Sequence, residues 1–470
     1  MWDLHRFAAN VAVKDDRGQT LTYADLAAAS EKFAESVGDR CLIFILCDNE
    51  LGSLIGYAGA LNGRIVPVML RHDLPEDRLQ ELIEAYHPAF LWQPLARERS
   101  RQCQAPVYAA YGYELLPLPY GRETRLHPQL ALLLTTSGST GSPKFVRQTY
   151  ENLQANTESI VTYLHMDESE RAITSLPMQY TYGLSIINTH LAVGARLLLT
   201  RSSLMQKEFW QFCREEGATS LAGVPYTYEM LKRLRFSRMD LPALRTLTQA
   251  GGKILPVLHE EFARWAKDTG REFVVMYGAC EATARMGYLP PERSLEKVGS
   301  MGIAIPGGRF ELLGADDAPV QETDAIGELV YYGKNVTWGY AECAADLQKG
   351  DERRGRYLTG DMAKRDADGF YTIVGRKKRF LKVFGNRVNL DDAERLLKAK
   401  FQTADVACGG VDDKLYIFGT DKAGLPEYKA YLAKETGLHI SAFRTVALAE
   451  IPHNDSGKTL YQQLASHYEK

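Results

Sequence analysis

Residues 135–144 of the 470-residue chain read Thr-Thr-Ser-Gly-Ser-Thr-Gly-Ser-Pro-Lys. Small residues let backbone amides come close to an anion, the hydroxyls add donors, and Lys144 adds a point charge. The chemistry of such a stretch is the cradling of phosphate. It is not a Walker loop, which needs G-x-x-x-x-G-K-[ST] with the lysine opening a helix. Gly138 and Gly141 stand at the wrong spacing, Pro143 precedes Lys144 and Phe145 follows it. A triphosphate loop of a different kind is expected.

The elements around it fit that placement. Leu132-Leu133-Leu134 reads as a short buried strand leading into the loop, and a helix is expected from about Tyr150. α/β sheets hold phosphate at such strand–loop–helix junctions. Further buried strands are expected at Leu42–Leu46, Ile65–Leu70 and Arg196–Thr200, and helical spacing at Leu79, Leu82 and Ile83 and over Leu153–Leu164. Strand alternating with helix predicts an α/β fold, with a large N-terminal domain of helix-covered mixed sheets. After about Gly299 short strands separated by glycine turns (Phe310–Leu313, Gly327–Tyr332, Phe370–Val374) predict a β-rich subdomain over about 300–377. Gly375–Arg379 interrupts the apolar pattern with charge. Beyond it, helix (391–400), strand (404–411), strand (414–419) and helix (426–437) predict a small mobile C-terminal α/β domain. The boundary is expected between 377 and 378, with a short charged linker that suits a hinge.

Composition narrows the class. With 45% apolar and 24% charged residues the chain has the balance of a soluble globular protein. A net charge of −3 gives no drive toward nucleic acid or an anionic membrane. The start Met1-Trp2-Asp3-Leu4-His5-Arg6 lacks the basic-then-apolar pattern of a secretory signal, and no uncharged apolar run approaches the ~20 residues of a membrane span. Seven scattered cysteines without a C-x-x-C pair argue against a disulfide framework and a zinc site. A cytoplasmic enzyme is expected.

The ordered motifs resemble the adenylate-forming superfamily: acyl- and aryl-CoA synthetases, peptide-synthetase adenylation domains and firefly luciferase. After the loop come Tyr277-Gly278-Ala279-Cys280-Glu281, similar to the family's YGxTE segment, and Gly327-Glu328-Leu329 with Gly339-Tyr340, similar to its GEL…GY turn. Tyr357–Asp361 resembles Y-x-TGD, Gly369–Arg376 the strand entering the hinge, and Asn454–Lys458 the C-terminal lysine loop. The resemblance implies ATP-dependent conversion of a carboxylic acid to an acyl-adenylate with release of pyrophosphate. Transfer to the pantetheine thiol of CoA or of a carrier protein would follow. Two anions meet in the first step, so the site must neutralise charge. The resemblance implies catalytic roles for Lys458, Glu281 and Lys144, with Glu281 on Mg²⁺. It places nucleotide binding at Thr136, Ser137, Gly138, Ser139, Thr140, Gly141, Gly251, Gly252, Tyr277, Gly278, Cys280, Asp361 and Arg376. Asp361 would accept the ribose hydroxyls and Tyr277 would cover the adenine. Lys378 stands at the hinge position, and the Gly385 loop would serve the thiol.

Pro177–Leu184 resembles the P-x-x-H-x-x-GL segment of acid ligases, with Tyr180 in the histidine's place. A substrate pocket is expected from Tyr180, Thr181, Tyr182, Gly183 and Tyr226, with Tyr228 nearby. Ala172–Thr200 contains no Asp or Glu, which disfavours an amino acid, whose ammonium would go unpaired. An aryl acid such as a hydroxybenzoate or cinnamate is expected, with a fatty or short-chain acid as the alternative. Any carrier protein would be a separate chain. An adenylate former without thioesterification is a further alternative, and Cys280 in place of threonine with the absence of an arginine after Lys458 leaves open a degenerate nucleotide-binding protein.

Overall fold

A computed structural model describes the chain except for residues 136–143, 315, 385, 404, 454–458 and 469–470. The chain divides into two compact units, residues 1–309 with 332–357, and residues 310–331 with 358–470. The boundary expected at 377/378 therefore falls inside the second unit.

The first unit carries two large sheets. An eight-stranded sheet has Leu42–Cys47, Val66–Arg71 and Leu130–Thr135 near its middle, with Phe145–Thr149 and Tyr340–Ala341 at one edge. The continuous apolar runs that marked these strands follow from burial on both faces. Ile43, Ile45 and Cys47 enter one core, shared with helices Tyr23–Val37, Leu51–Asn62 and Thr181–Val193, while Leu42, Phe44 and Leu46 enter another under helix Glu76–Tyr86. The side-chain period of two splits one run between two cores. A nine-stranded sheet sets Ser220–Gly223, Thr246–Gln249 and Glu272–Tyr277 side by side in parallel.

Local chemistry sets the element that follows the loop. Leu130–Thr135 and Phe145–Thr149 pair antiparallel, Thr135 opposite Phe145, so residues 136–143 connect adjacent strand ends. Helix Tyr150–Tyr163 then starts at a capping box. The Thr149 hydroxyl accepts from the Asn152 amide at 3.1 Å, and the Thr149 amide donates to Asn152 Oδ1 at 2.9 Å.

In the second unit, the predicted C-terminal elements appear as helix Leu390–Phe401, strands Val406–Val411 and Lys414–Gly419, and helix Leu425–Thr436. Strand Phe443–Ala447, which the sequence pattern missed, pairs parallel to Lys414–Gly419. Its buried Phe443 is followed by alternating half-exposed positions, too weak an apolar signal to read. Among the described residues no helix is long and apolar enough to cross a membrane.

Candidate active site

Lys144, the last residue of the phosphate-loop motif, lies with Nζ 3.8 Å from the centre of the Tyr340 ring and 3.8 Å from Glu342. The guanidinium of Arg353 also lies over the Tyr340 ring, at 4.5 Å. Tyr340 Oη donates to Glu281 Oε1 at 2.8 Å. Burial, and then the Glu281 carboxylate, hold the Tyr340 phenol well above its ordinary pKa, so it remains a donor. Two cations, a ring and a carboxylate thus meet beside the exit of the loop. At its entrance, Cys280 Sγ donates to the Thr135 carbonyl at 3.6 Å, so the residue replacing threonine in YGxTE faces the start of the motif.

The Glu281 turn is held from behind. Thr283 has φ +65°, a conformation a β-branched residue adopts only when its surroundings impose it. Its hydroxyl donates to the Asn335 carbonyl at 2.7 Å and its carbonyl accepts from Thr181 Oγ1. The buried Asn335 amide donates to Ala282 O and Arg285 O at 2.9 and 2.8 Å, and the Thr337 amide donates to Glu281 O at 2.9 Å. Gly278 is required sterically, because a Cβ there would lie 1.7 Å from the Ala284 carbonyl oxygen. Arg147, buried on the strand after the loop, donates to Tyr340 O, Trp338 O and Glu352 Oε2 at 3.1, 2.9 and 2.6 Å. That network seats Tyr340 against the loop's exit strand.

Gly251 follows strand Thr246–Gln249 with φ +83°, and a Cβ there would stand 2.5 Å from the Tyr180 hydroxyl. The Gln249 amide donates to Gly252 O at 2.9 Å. Tyr277, half-buried, ends strand Glu272–Tyr277. Gly251, expected on the nucleotide side, therefore abuts Tyr180 of the expected acid pocket. The ring centres of Tyr180 and Tyr182 lie 6.3 Å apart. Tyr182 is buried, donates to Thr248 Oγ1 at 2.8 Å, and carries the Arg285 guanidinium 3.9 Å over its ring. Burial pushes its phenol up to about 12, against the opposing pull of Arg285. Thr181 and Gly183 are used for packing: a Cβ at Gly183 would lie 2.2 Å from Pro177 O. Tyr226 is 56% exposed, while Tyr228 is buried and donates to Thr248 O at 2.8 Å. Residues two apart on helix Pro225–Arg233 face nearly opposite sides, so Tyr226 turns outward and Tyr228 inward.

In the second unit Asp361 and Arg376 are cross-strand partners, with Asp361 Oδ1 3.2 Å from Arg376 Nε. Thr359 Oγ1 accepts from the Asp361 amide at 3.0 Å and donates to Leu329 O at 2.8 Å, which ties Y-x-TGD to the GEL strand. Lys377 pairs with Glu328 of that strand at 2.6 Å, and Lys378 lies in the helical turn Lys377–Arg379. Thr136, Ser137, Gly138, Ser139, Thr140, Gly141, Gly385 and Lys458 lie outside the described residues. Sequence reasoning gave Tyr340 a motif but no role, and missed Arg353, Asn335 and Thr337. Arg353 stands in an ordinary charged run, Asp351–Arg354, that carries no signal.

Residues 2–341 match the family of AMP-binding enzymes. The chain is 28% identical to a feruloyl-CoA synthase of Amycolatopsis sp over 81% of this chain and 78% of that protein. It is 29% identical to a 2-succinylbenzoate–CoA ligase of Bacillus licheniformis over 61% of this chain and 58% of that protein. Its fold is similar to that of Bacillus subtilis o-succinylbenzoate CoA synthetase solved with its acyl-adenylate intermediate, with a TM-score of 0.80, 22% identity, and 99% and 98% of the two chains covered. The same enzyme solved with ATP and a magnesium ion matches with a TM-score of 0.78, 23% identity, and 98% of each chain. With a family match across most of its length and this fold, the chain belongs to the AMP-binding enzymes, the adenylate-forming superfamily.

Proposed function

We propose that this enzyme is an AMP-forming acid–thiol ligase. It joins a carboxylic acid to the α-phosphate of ATP, expels pyrophosphate, and passes the acyl group to the pantetheine thiol of CoA or of a carrier protein. The observation that carries the reading is the meeting of Lys144, Tyr340, Arg353 and Glu281 at the exit of the phosphate-loop motif. The relatives support it by their names, which include CoA ligases for oxalate, sulfoacetate and indoleacetate.

In this reading the loop hydroxyls, amides and Lys144 hold the β- and γ-phosphates, and the cations offset charge as the carboxylate approaches phosphorus. Among the described residues no three His, Cys, Asp or Glu side chains cluster as a metal cage. Mg²⁺ needs only one or two protein carboxylates beside phosphate oxygens, so Glu281, steadied by Tyr340, fits it. When bound, the ion would neutralise phosphate charge there. Asp361 accepts the ribose hydroxyls and exchanges its Arg376 contact for them in part. Lys458 bridges carboxylate and α-phosphate, and Tyr180 and Tyr182 favour an aryl acid.

Two variants test the assignment. Lys458→Ala should abolish carboxylate-dependent pyrophosphate release, and unchanged release would remove the catalytic role. Lys378→Pro should spare pyrophosphate exchange while blocking thioester formation, and equal loss of both would remove the hinge role.

A further inference from the structure

Behind Tyr182, in the first unit, lies a small cavity of about 50 Å³. Ile160, Leu164, Ile173 and Met276 give it apolar walls, and Tyr182, Glu170 and Arg285 also line it. Arg285 is only 3% exposed. Its neighbours are the Tyr182 ring at 3.9 Å, the Met276 sulfur at 3.4 Å from Nε, and the Tyr163 phenol. No carboxylate pairs with it among the described residues. Glu170, the acid on the same cavity, is already engaged by Arg245 at 2.9 Å and by the Thr219 hydroxyl at 2.6 Å. Two carbonyl hydrogen bonds fix the Arg285 backbone, from Asn156 at 2.9 Å and Asn335 at 2.8 Å, so the side chain cannot leave by a shift of its turn.

A guanidinium withdrawn from water without an anion is costly, and proteins retain such a charge where a ligand pairs with it. The planar donor fork matches a carboxylate. Tyr182 touches both Tyr180, which abuts Gly251 on the nucleotide side, and Arg285, on the cavity. We propose that Arg285 is a specificity residue that binds a second, anionic group on the acid being activated, so that the substrate is a dicarboxylate or a comparable two-acid molecule. The far carboxylate pairs with Arg285 while the near one faces the nucleotide. The inference rests on the acid-activating reading above.

The test compares the full-length wild type, Arg285→Met and Arg285→Lys on aryl and linear dicarboxylates and on their monomethyl esters. AMP formation gives kcat/KM, and the thermal midpoint with the acid alone, without ATP, reports binding. The wild type should prefer a dicarboxylate over its ester by about 30-fold or more, the scale of a buried charge pair. Arg285→Met should lose that preference, its kcat/KM for the diacid falling to the level of the ester, and Arg285→Lys should retain part of it. Without acid, Arg285→Met should melt no lower than the wild type, because an unpaired buried charge has gone; a merely structural arginine would lower the midpoint. Absence of any diacid preference in the wild type overturns the proposal whatever the variants do, and so does its persistence in Arg285→Met. If no acid yields AMP, yet dicarboxylates raise the midpoint of the wild type and not of Arg285→Met, the anion site stands and the ligase reading falls.

Discussion

Tyr340→Phe isolates one contact in the candidate site. Phenylalanine keeps the ring over which Lys144 and Arg353 lie and removes only the hydroxyl that donates to Glu281 at 2.8 Å. A hydrogen bond to an ionised carboxylate contributes about 1.5–3 kcal/mol. At about 1.4 kcal/mol per tenfold, the proposed Mg²⁺-ATP role of Glu281 puts the loss in kcat/KM for ATP at about 10- to 100-fold. Carboxylate-dependent pyrophosphate release measures it, with CoA withheld so that only adenylation is read. The double variant with Glu281→Gln should be no worse than Glu281→Gln alone, because the hydroxyl acts through that carboxylate. A change below about twofold, or losses that simply add, would refute the coupling.

Three other outcomes are expected. Gly278→Ala should cost about 3 kcal/mol or more, read as a fall in the urea midpoint, since its Cβ would sit 1.7 Å from a main-chain oxygen. Asp361→Asn should change stability by less than about 1 kcal/mol, because its Arg376 partner is largely exposed, yet it should raise the KM for ATP; a stability loss without a KM change would mark a purely structural pair. Burial holds His259 at a pKa of about 4, with Nε2 2.9 Å from Ser294 Oγ. The unfolded chain binds that proton near pH 6.5 and the folded chain only near 4. Stability present above pH 6.5 should thus fall by roughly 3 kcal/mol as pH drops to 4. His259→Gln should flatten that part of the curve, and an unchanged slope in urea unfolding from pH 7 to 4.5 would refute the attribution.

Much of the fold could be read along the chain because its signals are local. Leu42–Cys47 and Val66–Arg71 are apolar throughout, and Thr149 with Asn152 spells a helix start. The motifs were readable for the same reason: glycine, hydroxyl and charge must stand at short fixed spacing to hold a phosphate. Order along the chain was therefore enough to reach the family and the class of chemistry.

What needed the folded chain is everything that depends on distant segments meeting. Lys144, Glu281, Tyr340 and Arg353 come from four places in the sequence, and Arg353 has no local pattern to distinguish it from a solvated arginine. Tyr226 and Tyr228 look alike on paper, yet one turns to water and the other to Thr248, because helix rotation sets the face. The second-unit division beginning at Phe310 arises in the same way, from pairings that skip along the chain. Arg285 shows the physical reason most plainly. A charge is named by its residue type, but whether it is paired depends on which carboxylates the other segments bring near it and leave free, and among the described residues none pairs with Arg285.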